Sequence, residues 1–480
     1  MKRLFYLAIA ILLFAASAEA APPRNVVLFV VDDMGKTMGC YGDSVAKTPH
    51  MDWLASQGTR FDYAFCTTAS CSASRSVILS GLHNHLNGQY GHQHSFHHFA
   101  SFDHVQSLPV ILSTGGYRTV SIGKYHVAPE SVYHFDTYLK GNQGGARNTV
   151  SMAEKCRELI EAKDEKPFFL YFCTNDPHRG GGKVESDSNK PDYFGNNMKY
   201  DGVEEVKFDP KKVIVPSFLP DTPACRAELA QYYQSVARVD QGLGRLIKIL
   251  KDAGQWDNTL FIFTTDNGIA MPGAKTTLYE PGMRLPLIVC SPDQKTRSGA
   301  TDAMVSWVDF TPTILDFAGV KPPTVKPGGK EKPKPYSFHG RSFLSVLGQE
   351  KTKEWDTIHA SHTFHEITMY YPMRVIHTRQ HKLIVNLAHQ LPYPFASDLY
   401  ESATWQSVLK QGRGFFGKRP ISDYINRARY ELFDLKTDPD EIVNQAPNPK
   451  YAKILKDLQD RLKKFQQYTG DPWVVKYNYE

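Results

Sequence analysis

The segment Cys71-Ser72-Ala73-Ser74-Arg75 places a thiol four positions before a guanidinium group. An apolar turn over 77–79 follows this segment and indicates the start of a helix. A thiol beside an arginine at a helix N-terminus is expected to have a lowered pKa, and it would then be reactive. The alternative is a buried structural cysteine with a surface arginine nearby. Cys66 is an internal comparison, because the residue four positions after it is Ser70 rather than an arginine.

Polar side chains that could do chemistry follow four apolar segments, each of which is predicted to be a strand. In an open parallel sheet, ligands bind outside the carboxyl ends of the strands. Each of these residues alone could serve only a turn or a helix cap, but together they predict a site at one edge of the sheet. The segments are 26–31, 119–122, 168–172 and 260–263, and the residues that follow them are Asp32 and Asp33, Lys124 and His126, Asp176 and His178, and Asp266 and Asn267.

The oxygen-bearing members of this set predict a divalent cation. Asp32, Asp33, Asp266 and the amide of Asn267 are hard oxygen donors, which suit Ca²⁺ or Mg²⁺ rather than zinc. Such a cation would withdraw electron density from an oxyanion held against it. The nearby lysines would add positive charge around the same anion, and the histidines would move protons.

The elements that must position these residues alternate between apolar strands and amphipathic helices. The clearest helix is predicted over 224–253, and a further strand is predicted over 285–289. This alternation predicts an α/β fold with a doubly wound, mainly parallel sheet that is covered on both faces. A stretch rich in proline, glycine and lysine, 321–334, is predicted to be a loop.

The pattern changes after about residue 355 and predicts a smaller C-terminal α+β domain. Antiparallel strands are predicted within 374–387 and 430–435, and a final amphipathic helix over 451–467. We therefore divide the chain into a signal peptide over 1–20, a catalytic domain over 21–354 and a C-terminal domain over 355–480.

Residues 1–20 have the pattern of a secretory signal peptide. Lys2 and Arg3 precede the apolar run 4–16, and Ala18-Glu19-Ala20 forms a small-x-small cleavage site. No later apolar run has the length of a membrane span. We expect an exported protein, periplasmic or secreted, and the absence of an Asn-x-Ser/Thr sequon favours a bacterial source.

Composition narrows the class of partner only slightly. The formal charge of +6 is compatible with an acidic substrate, and nothing in the sequence indicates a nucleic-acid partner. Seven cysteines are present. If Cys71 is set apart, the other six are scattered without a CxxC pair, which predicts neither a disulfide framework nor a zinc site.

These motifs occur in an order that resembles the type I sulfatases, and the resemblance covers essentially the whole chain after the signal peptide. The segment at Cys71 resembles the family's modification site, with Ala73 where proline is commoner. The resemblance implies an alkaline-phosphatase-like fold. The further matching segments are Gly123-Lys124-Tyr125-His126, Asp176-Pro177-His178, Asp266-Asn267-Gly268, Lys275 before Tyr279-Glu280-Pro281-Gly282, 309–315 and 430–435.

The resemblance also implies a role for each residue. A maturase would oxidise Cys71 to formylglycine (3-oxoalanine), and its hydrate would touch a Ca²⁺ ion, with Mg²⁺ the less favoured alternative. One hydroxyl would attack sulfur to form a covalent sulfo-enzyme, and the second would expel sulfate. The implied metal ligands are Asp32, Asp33, Cys71, Asp266 and Asn267; Arg75 and Lys124 would stabilise the oxyanion, Lys275 would bind sulfate, His178 would protonate the leaving group, and His126 would assist the second step.

Three segments, 88–103, 365–374 and 471–474, resemble the branch of the family that hydrolyses N-sulfate groups. The implied substrate is a non-reducing terminal N-sulfoglucosamine of heparin or heparan sulfate, and the histidine-rich run 92–98 would line its pocket rather than bind a metal. We expect Lys275, His365, Glu366 and Arg374 to bind the saccharide. The alternative for the last three is a buried ion pair between domains.

Two other functions remain open at this point. An O-sulfatase acting on a related sulfated sugar would keep the enzyme class but change the bond. A non-catalytic relative that binds sulfated glycans would change the class, although Cys71 together with Arg75 argues against it. Phosphomonoesterases share the fold but usually carry threonine or serine at the nucleophile and zinc ligands that are not evident here. A homodimer is also left open.

Overall fold

A computed structural model describes residues 24–140, 145–180, 194–294, 299–326 and 332–478. The predicted signal peptide lies outside the described residues. The strands are β1 (Asn25–Val31), β2 (Thr59–Phe65), β3 (Arg118–Gly123), β4 (Thr137–Leu139), β5 (Phe168–Cys173), β6 (Thr259–Thr265), β7 (Arg284–Leu285), β8 (Leu287–Cys290), β9 (Ala300–Ser306), β10 (Thr324–Val325), β11 (Lys334–Pro335), β12 (Thr357–His362), β13 (Met373–Thr378), β14 (His381–Asn386), β15 (Phe415–Phe416), β16 (Arg419–Pro420) and β17 (Tyr430–Asp434).

The α-helices lie between and around these strands. The helix predicted over 224–253 is confirmed as a helix of 30 residues, and no helix within the described ranges is long and apolar enough to cross a membrane. The helices are α1 (Pro49–Gln57), α2 (Cys71–Ser80), α3 (Asn84–Asn87), α4 (Leu108–Thr114), α5 (Thr149–Lys155), α6 (Arg157–Glu161), α7 (Pro223–Asp252), α8 (Glu280–Met283), α9 (Phe310–Ala318), α10 (Ser397–Tyr400), α11 (Ala403–Lys410), α12 (Ile421–Ile425) and α13 (Ala452–Tyr468).

The central sheet contains β1 to β9 and is mainly parallel, as the sequence predicts. Its strand order begins β4-β3-β5-β1-β6, and every pair within this run is parallel. The sheet continues through β8 to β2, which pairs in parallel with β9 and antiparallel with β7 and β8. Strands β3, β5, β1 and β6 are therefore adjacent, and their carboxyl ends lie at one edge.

Helices cover both faces of this sheet, which confirms the doubly wound architecture. Alternate residues of β1 enter two separate apolar clusters: Val26, Leu28 and Val30 enter one, and Val27, Phe29 and Val31 the other. The first cluster includes residues of α2, α4 and α9, and the second includes the apolar stripe of α7. All seven residues of β1 are buried, so its side chains are removed from water on both faces.

Several element predictions need correction. The strand predicted over 285–289 is two short strands separated at Pro286, and β8 runs antiparallel to β6. Proline cannot donate a hydrogen bond to a neighbouring strand, which explains the break. The predicted loop 321–334, part of which lies outside the described residues, contains β10 and the start of β11, which pair with each other. Strands β2, β9 and β12 were not predicted, because their polar and apolar residues are mixed.

The C-terminal part contains a four-stranded antiparallel sheet, in the order β12-β13-β14-β17. The strands predicted within 374–387 form the β13–β14 pair, and the helix predicted over 451–467 is α13. One face of this sheet packs on α13 through residues such as Leu383 and Leu462. Other residues of the sheet, including Val375 and Phe433, belong to the same apolar cluster as α2 and α9. The two parts thus share a core.

A buried charge network also joins the C-terminal sheet to the central sheet. Lys382 on β14 lies 3.1 Å from Glu280 Oε1 and 2.8 Å from Glu441 Oε1, and His377 Nε2 lies 2.7 Å from Glu280 Oε1. The Lys382 side chain has no exposed surface. Removing one partner of such a network would leave a buried charge unpaired, which is strongly destabilising. The network therefore fixes the position of the segment that precedes β7, near the predicted site.

Candidate active site

The structure brings the residues predicted at the four strand ends into one cluster. Backbone hydrogen bonds hold the loops together: the Asp32 amide donates to the Asp176 carbonyl at 3.3 Å, and the Asp266 amide donates to the Val31 carbonyl at 3.1 Å. Asp33 has a φ of 54° and His126 a φ of 53°. Residues other than glycine seldom adopt this left-handed conformation, and such strain is concentrated at functional sites.

Three carboxylates form the centre of the cluster, and all three are fully buried: Asp32, Asp33 and Asp266. Arg75 on α2 is also fully buried, and its Nε donates to Asp266 Oδ2 at 2.9 Å. Burial raises the pKa of Asp266 to about 8, because Arg75 only partly offsets the cost of burial and Asp32 repels the same charge. The carboxylates therefore hold more negative charge than Arg75 can balance alone.

Two lysines supply the remaining positive charge. Lys124 Nζ lies 2.6 Å from Asp32 Oδ2, and Lys275 Nζ lies 2.9 Å from Asp33 Oδ2. Burial lowers the pKa of Lys275, but Asp33 and Asp398 outweigh burial and leave it well above its ordinary value. Both lysines line the cavity that is described below, so they can contact an anion bound there.

Cys71 is the first residue of α2 and is fully buried, with its Sγ 3.5 Å from Asp33 Oδ1. The prediction of a lowered thiol pKa is wrong. Burial and the charge of Asp33 raise the pKa of Cys71 well above its ordinary value, and the charges of Lys124 and Lys275 do not compensate. The reason is that Arg75 bonds to the carboxylates rather than to the thiol. An unmodified thiol here is a poor nucleophile.

His178 lies on the other side of Asp33. Its Nδ1 is hydrogen-bonded to Asp33 Oδ2, and 29% of its side chain is exposed. The preceding Asp176 is fully buried and does not face the cavity, since Arg147 and Arg238 each donate to one of its oxygens, at 2.5 and 2.6 Å. Asp176 therefore holds the loop that carries His178 in place.

The residues at the centre fit a hard divalent cation. Asn267 Nδ2 donates to Asp33 Oδ1 at 2.7 Å, whereas the buried Asn267 Oδ1 has no hydrogen-bond partner in the part of the chain that the structure describes. A buried amide oxygen without a partner is costly unless something else, such as a cation, binds it. Single ligand atoms of Asp32, Asp33, Cys71 and His178 lie within 4.8 Å of one another, a group that does not include Asp266. Asp266 Oδ1 accepts from the amides of Asp33 and Asn267, and its Oδ2 accepts from Arg75. Carboxylate and amide oxygens are the ligand type that Ca²⁺ and Mg²⁺ prefer.

A cavity of about 690 Å³ opens beside this cluster. Its wall contains the predicted Lys124, His126, His178, Lys275, His365 and Glu366. Sequence reasoning missed the lining residues Asn175, Ser397 and Asp398. Asp398 Oδ2 lies 2.9 Å from Lys275 Nζ. No sequence signal marked Asp398, because it comes from a short helix, α10, more than a hundred residues after Lys275.

The histidines of the run 92–98 meet two other histidines at the cavity wall. His94 Nδ1 lies 2.5 Å from His126 Nε2, and His92 Nε2 lies 3.0 Å from His365 Nε2. Burial, followed by the charge of Lys124, lowers the pKa of His126 well below its ordinary value. The prediction that this run lines the pocket is consistent with the position of His92, His94 and His97.

Of the residues predicted to bind the saccharide, His365 and Glu366 line the cavity, whereas Arg374 does not. His365 is buried at the wall, where its Nδ1 lies 2.8 Å from Ser70 Oγ, and Glu366 accepts hydrogen bonds from the amide and hydroxyl of Ser397. Arg374 does not reach the cavity, so its predicted contact with the saccharide is corrected. Both its Nε and Nη2 donate to Asp471, and its side chain is 3% exposed. The alternative of a buried ion pair holds for Arg374, within the C-terminal part rather than between domains.

Comparison with known proteins identifies the family. The sulfatase family model matches residues 24–320, and the model of the N-sulphoglucosamine sulphohydrolase C-terminal region matches residues 274–401. This chain belongs to the sulfatase family. Human N-sulphoglucosamine sulphohydrolase is 41% identical over 95% of this chain and 92% of its own length. An N-acetylglucosamine-6-O-sulfatase of Bacteroides thetaiotaomicron is 26% identical over 94% of this chain and 88% of its own length.

Solved sulfatase structures share the fold. A structure described as a complex with its substrate, D-glucosamine-2-N,6-O-disulfate, superposes with a TM-score of 0.65 at 22% identity, and covers 94% of this chain and 99% of that one. This likeness confirms the predicted α/β fold, with a mixed but mainly parallel sheet and an antiparallel C-terminal sheet.

Replacing Arg374 should affect stability rather than activity. In Arg374→Met the buried Asp471 loses its partner, and we expect a loss of about 3–5 kcal/mol in the free energy of unfolding at pH 7. Burial raises the pKa of Asp471, but Arg374 outweighs burial and holds it at about 2. The stabilisation is therefore present above pH 4 and is lost as the pH falls towards 2. Denaturant unfolding at several pH values measures this.

Lys456→Met is the control for that prediction, because Lys456 pairs with Asp460 on the exposed face of α13. It should change stability very little at any pH. A fall in kcat/KM without a loss of stability in Arg374→Met would restore Arg374 as a saccharide-binding residue.

Binding of Ca²⁺ to chelator-treated protein should release protons. Burial and Asp32 raise the pKa of Asp266 in the cluster without a cation, so a cation bound beside it should lower that pKa and displace a proton. Calorimetry in two buffers of different ionisation enthalpy should show proton release on Ca²⁺ binding at pH 7, and less release as the pH rises. Asp266→Asn should bind more weakly and release none. Binding without proton release at pH 7 would contradict the raised pKa of Asp266.

Proposed function

We propose that this chain hydrolyses the N-sulfate group of a non-reducing terminal N-sulfoglucosamine in heparin or heparan sulfate. The observation that carries the proposal is the position of Cys71 at the start of α2, with its Sγ 3.5 Å from Asp33 Oδ1 and under the influence of the charges of Lys124 and Lys275. The 41% identity with human N-sulphoglucosamine sulphohydrolase supports the substrate. The match of residues 274–401 to the C-terminal region of that enzyme supports it further.

The proposal requires that Cys71 is converted by a maturase to formylglycine. Burial and the charge of Asp33 raise the pKa of the unmodified thiol in the site without a cation, which favours a modified residue over a thiolate nucleophile. The hydrated aldehyde would supply two hydroxyl groups, one for attack on sulfur and one for the release of sulfate. A serine has a single hydroxyl and could not complete the second step.

Asp32, Asp33, Asp266 and Asn267 are proposed to hold Ca²⁺, with Mg²⁺ the less favoured ion. The three converging carboxylates support this assignment, and so does Asn267 Oδ1, which has no hydrogen-bond partner among the described residues. When bound, the cation would stabilise negative charge that develops beside residue 71. Arg75 orients Asp266 and Asp32, since its guanidinium contacts both, at 2.8 and 3.4 Å.

Lys124 and Lys275 are proposed to hold the oxygens of the sulfate group. Lys124 contacts Asp32 at 2.6 Å, and Lys275 contacts both Asp33 and Asp398 at 2.9 Å. Both lysines line the cavity. A lysine has three donors, so it can keep these ion pairs while it binds an anion. The pair would thereby fix the sulfur atom next to residue 71.

His178 is the proposed general acid for the departing amine. Its Nδ1 is hydrogen-bonded to Asp33, which orients the ring and leaves Nε2 for proton transfer. His126 is proposed to remove a proton during the release of sulfate. Its Nε2 contacts His94, and its buried Nδ1 has no hydrogen-bond partner among the described residues.

The sugar is proposed to contact the part of the cavity wall that comes from the C-terminal half of the chain. Glu366, Ser397 and Asp398 supply polar atoms there, and His365 supplies an imidazole. Carboxylates can accept hydrogen bonds from sugar hydroxyls and from the product amine. The side chain of Asp398 is only 22% exposed and is held by Lys275, so its position is fixed before the sugar binds.

An O-sulfatase on a related sugar is the second candidate. The 26% identity with an N-acetylglucosamine-6-O-sulfatase over 94% of this chain favours it. An oxygen leaving group needs less help from a general acid than an amine does, so the two candidates differ in their dependence on His178. A non-catalytic role is disfavoured, because every residue of the catalytic cluster is present in the geometry described above.

Several other features are proposed from the sequence and the family. We propose that residues 1–20 direct export, to the periplasm or the medium. We propose a domain boundary between residues 354 and 355, because a separate antiparallel sheet follows it. We also propose that two copies of this chain form a homodimer.

Sulfate release from paired monosaccharides tests the substrate directly. We expect the purified enzyme to release sulfate from N-sulfoglucosamine and to leave glucosamine 6-sulfate largely intact, because the proposed acid serves an amine. Ion chromatography of free sulfate measures both reactions. The opposite preference would favour the O-sulfatase. Release from neither sugar, with an activated aryl sulfate still cleaved, would reject both sugars while keeping the enzyme class.

Replacing His178 should separate the two kinds of leaving group. His178→Ala should lose about 10²–10⁴ of its rate with N-sulfoglucosamine, because an unprotonated amine leaves poorly. The loss with an activated aryl sulfate should be much smaller, since that leaving group needs no proton. His134→Ala is the control, because His134 is exposed and does not line the cavity. Equal losses with both substrates would remove His178 from the role of general acid.

A further inference from the structure

Three histidines, His92, His94 and His126, form a compact cluster beside the oxygen-rich centre. One ring nitrogen from each lies within 4.8 Å of the other two. The ring centroids are 4.8 Å apart for His92 and His94, 4.7 Å for His94 and His126, and 5.1 Å for His92 and His126. None of these residues is among the ligands proposed for Ca²⁺.

The chemistry of this cluster differs from that of the carboxylate centre. Imidazole nitrogens bind borderline metals such as Zn²⁺, Cu²⁺ and Ni²⁺, whereas Ca²⁺ prefers oxygen. His92 and His126 are buried, and burial is the largest of the effects that lower their pKa values well below the ordinary value. The rings are therefore neutral at physiological pH, and neutral imidazole is the form that binds metals.

The geometry requires only a small adjustment to bind a metal. Zn–N bonds of about 2.0–2.1 Å place ligand nitrogens about 3.4 Å apart in a tetrahedral site. His94 Nδ1 and His126 Nε2 are 2.5 Å apart, so they must separate by roughly 1 Å. His94 is exposed and lines the cavity, so it can move and also provides an entry path. His92 Nδ1 lies 3.5 Å from Ser72 Oγ and its Nε2 lies 3.0 Å from His365 Nε2, so the nitrogen that binds the metal must give up one of these contacts.

The charges of Lys124 and Lys275 disfavour a second cation at this cluster, but carboxylates partly offset them. The two nearest lysines are already paired with carboxylates, Lys124 with Asp32 and Lys275 with Asp33 and Asp398. Three neutral imidazoles leave a fourth coordination position that faces the cavity, where water or an anion such as sulfate could bind. Three histidines with one open position is a common arrangement for zinc.

We propose that His92, His94 and His126 form a binding site for a borderline divalent metal ion, Zn²⁺ in the first instance, which inhibits the enzyme reversibly. Occupation of this site removes His126 from proton transfer and places a cation at the wall of the substrate cavity. The inhibition rests on the proposed role of His126. The binding itself does not depend on the proposed function and can be measured without substrate.

The test uses enzyme saturated with excess Ca²⁺, so that the carboxylate centre is filled before Zn²⁺ is added. Calorimetry should show one further Zn²⁺ per chain. Co²⁺, as a spectroscopic substitute, should give the strong visible absorption of a nitrogen-ligated site of low coordination number. His94→Asn should weaken Zn²⁺ binding by at least about tenfold and remove the Co²⁺ absorption, because the amide is a poor ligand for these metals. Asparagine can still offer a polar atom where His94 Nδ1 lies.

His98→Asn is the matched control. His98 is an exposed residue of the same run, lies outside the cluster, and has a φ of 49°, a conformation that asparagine tolerates. This variant should bind Zn²⁺ as the wild type does. Zn²⁺ inhibition of aryl sulfate cleavage, expressed relative to each variant's own activity without Zn²⁺, should weaken in His94→Asn and persist in His98→Asn. A thermal melt of each variant in Ca²⁺ checks that it is folded.

Each outcome decides a separate point. Absence of a second metal, or equal Zn²⁺ affinity in the wild type and His94→Asn, would overturn the site. Tight binding without inhibition would confirm the site and overturn the regulatory part of the proposal. Binding and inhibition in an enzyme that cleaves aryl sulfate but not N-sulfoglucosamine would uphold the site while the proposed substrate fails.

Discussion

The active-site region is organised around three buried carboxylates that cannot exist without compensation. Asp32, Asp33 and Asp266 are all fully buried, and isolated charges in such surroundings would be prohibitively costly. Arg75, Lys124 and Lys275 each pair with one or more of them. These three cationic side chains already match the three carboxylates in charge. Asn267 adds an oxygen that has no hydrogen-bond partner among the described residues, and a bound divalent cation would supply that partner. The need to pair these buried charges explains why so many distant segments converge.

The fold satisfies this constraint through the adjacency of four parallel strands. Because β3, β5, β1 and β6 are neighbours, the residues that follow them reach one edge without long connections. Helix α2 then brings Arg75 into the cluster and places Cys71 at its own start. The C-terminal part closes the arrangement, since Asp398 contacts Lys275 and His365 contacts both Ser70 and His92. The catalytic cluster and the cavity wall thus depend on a shared core.

The sequence predicts much of this arrangement because periodicity and strand ends are local signals. The apolar segments identify β1, β3, β5 and β6, and the residues after them form the site. Long-range pairings leave no such signal. The Arg374–Asp471 pair joins residues 97 positions apart, and Arg374 was therefore assigned to the substrate. Asp398 was missed for the same reason. The pKa of Cys71 was predicted in the wrong direction, because spacing shows a nearby arginine but not the burial or Asp33.

The chemical state of residue 71 links the geometry to the proposed reaction, since burial and Asp33 raise the pKa of an unmodified thiol there. Mass spectrometry of the tryptic peptide 61–75 from active enzyme is the most direct measurement. We expect the mass of an aldehyde or its hydrate at residue 71, with Cys66 in the same peptide still a thiol. Full activity in a preparation in which every molecule carries an unmodified Cys71 would show that the reaction does not need a modified residue 71.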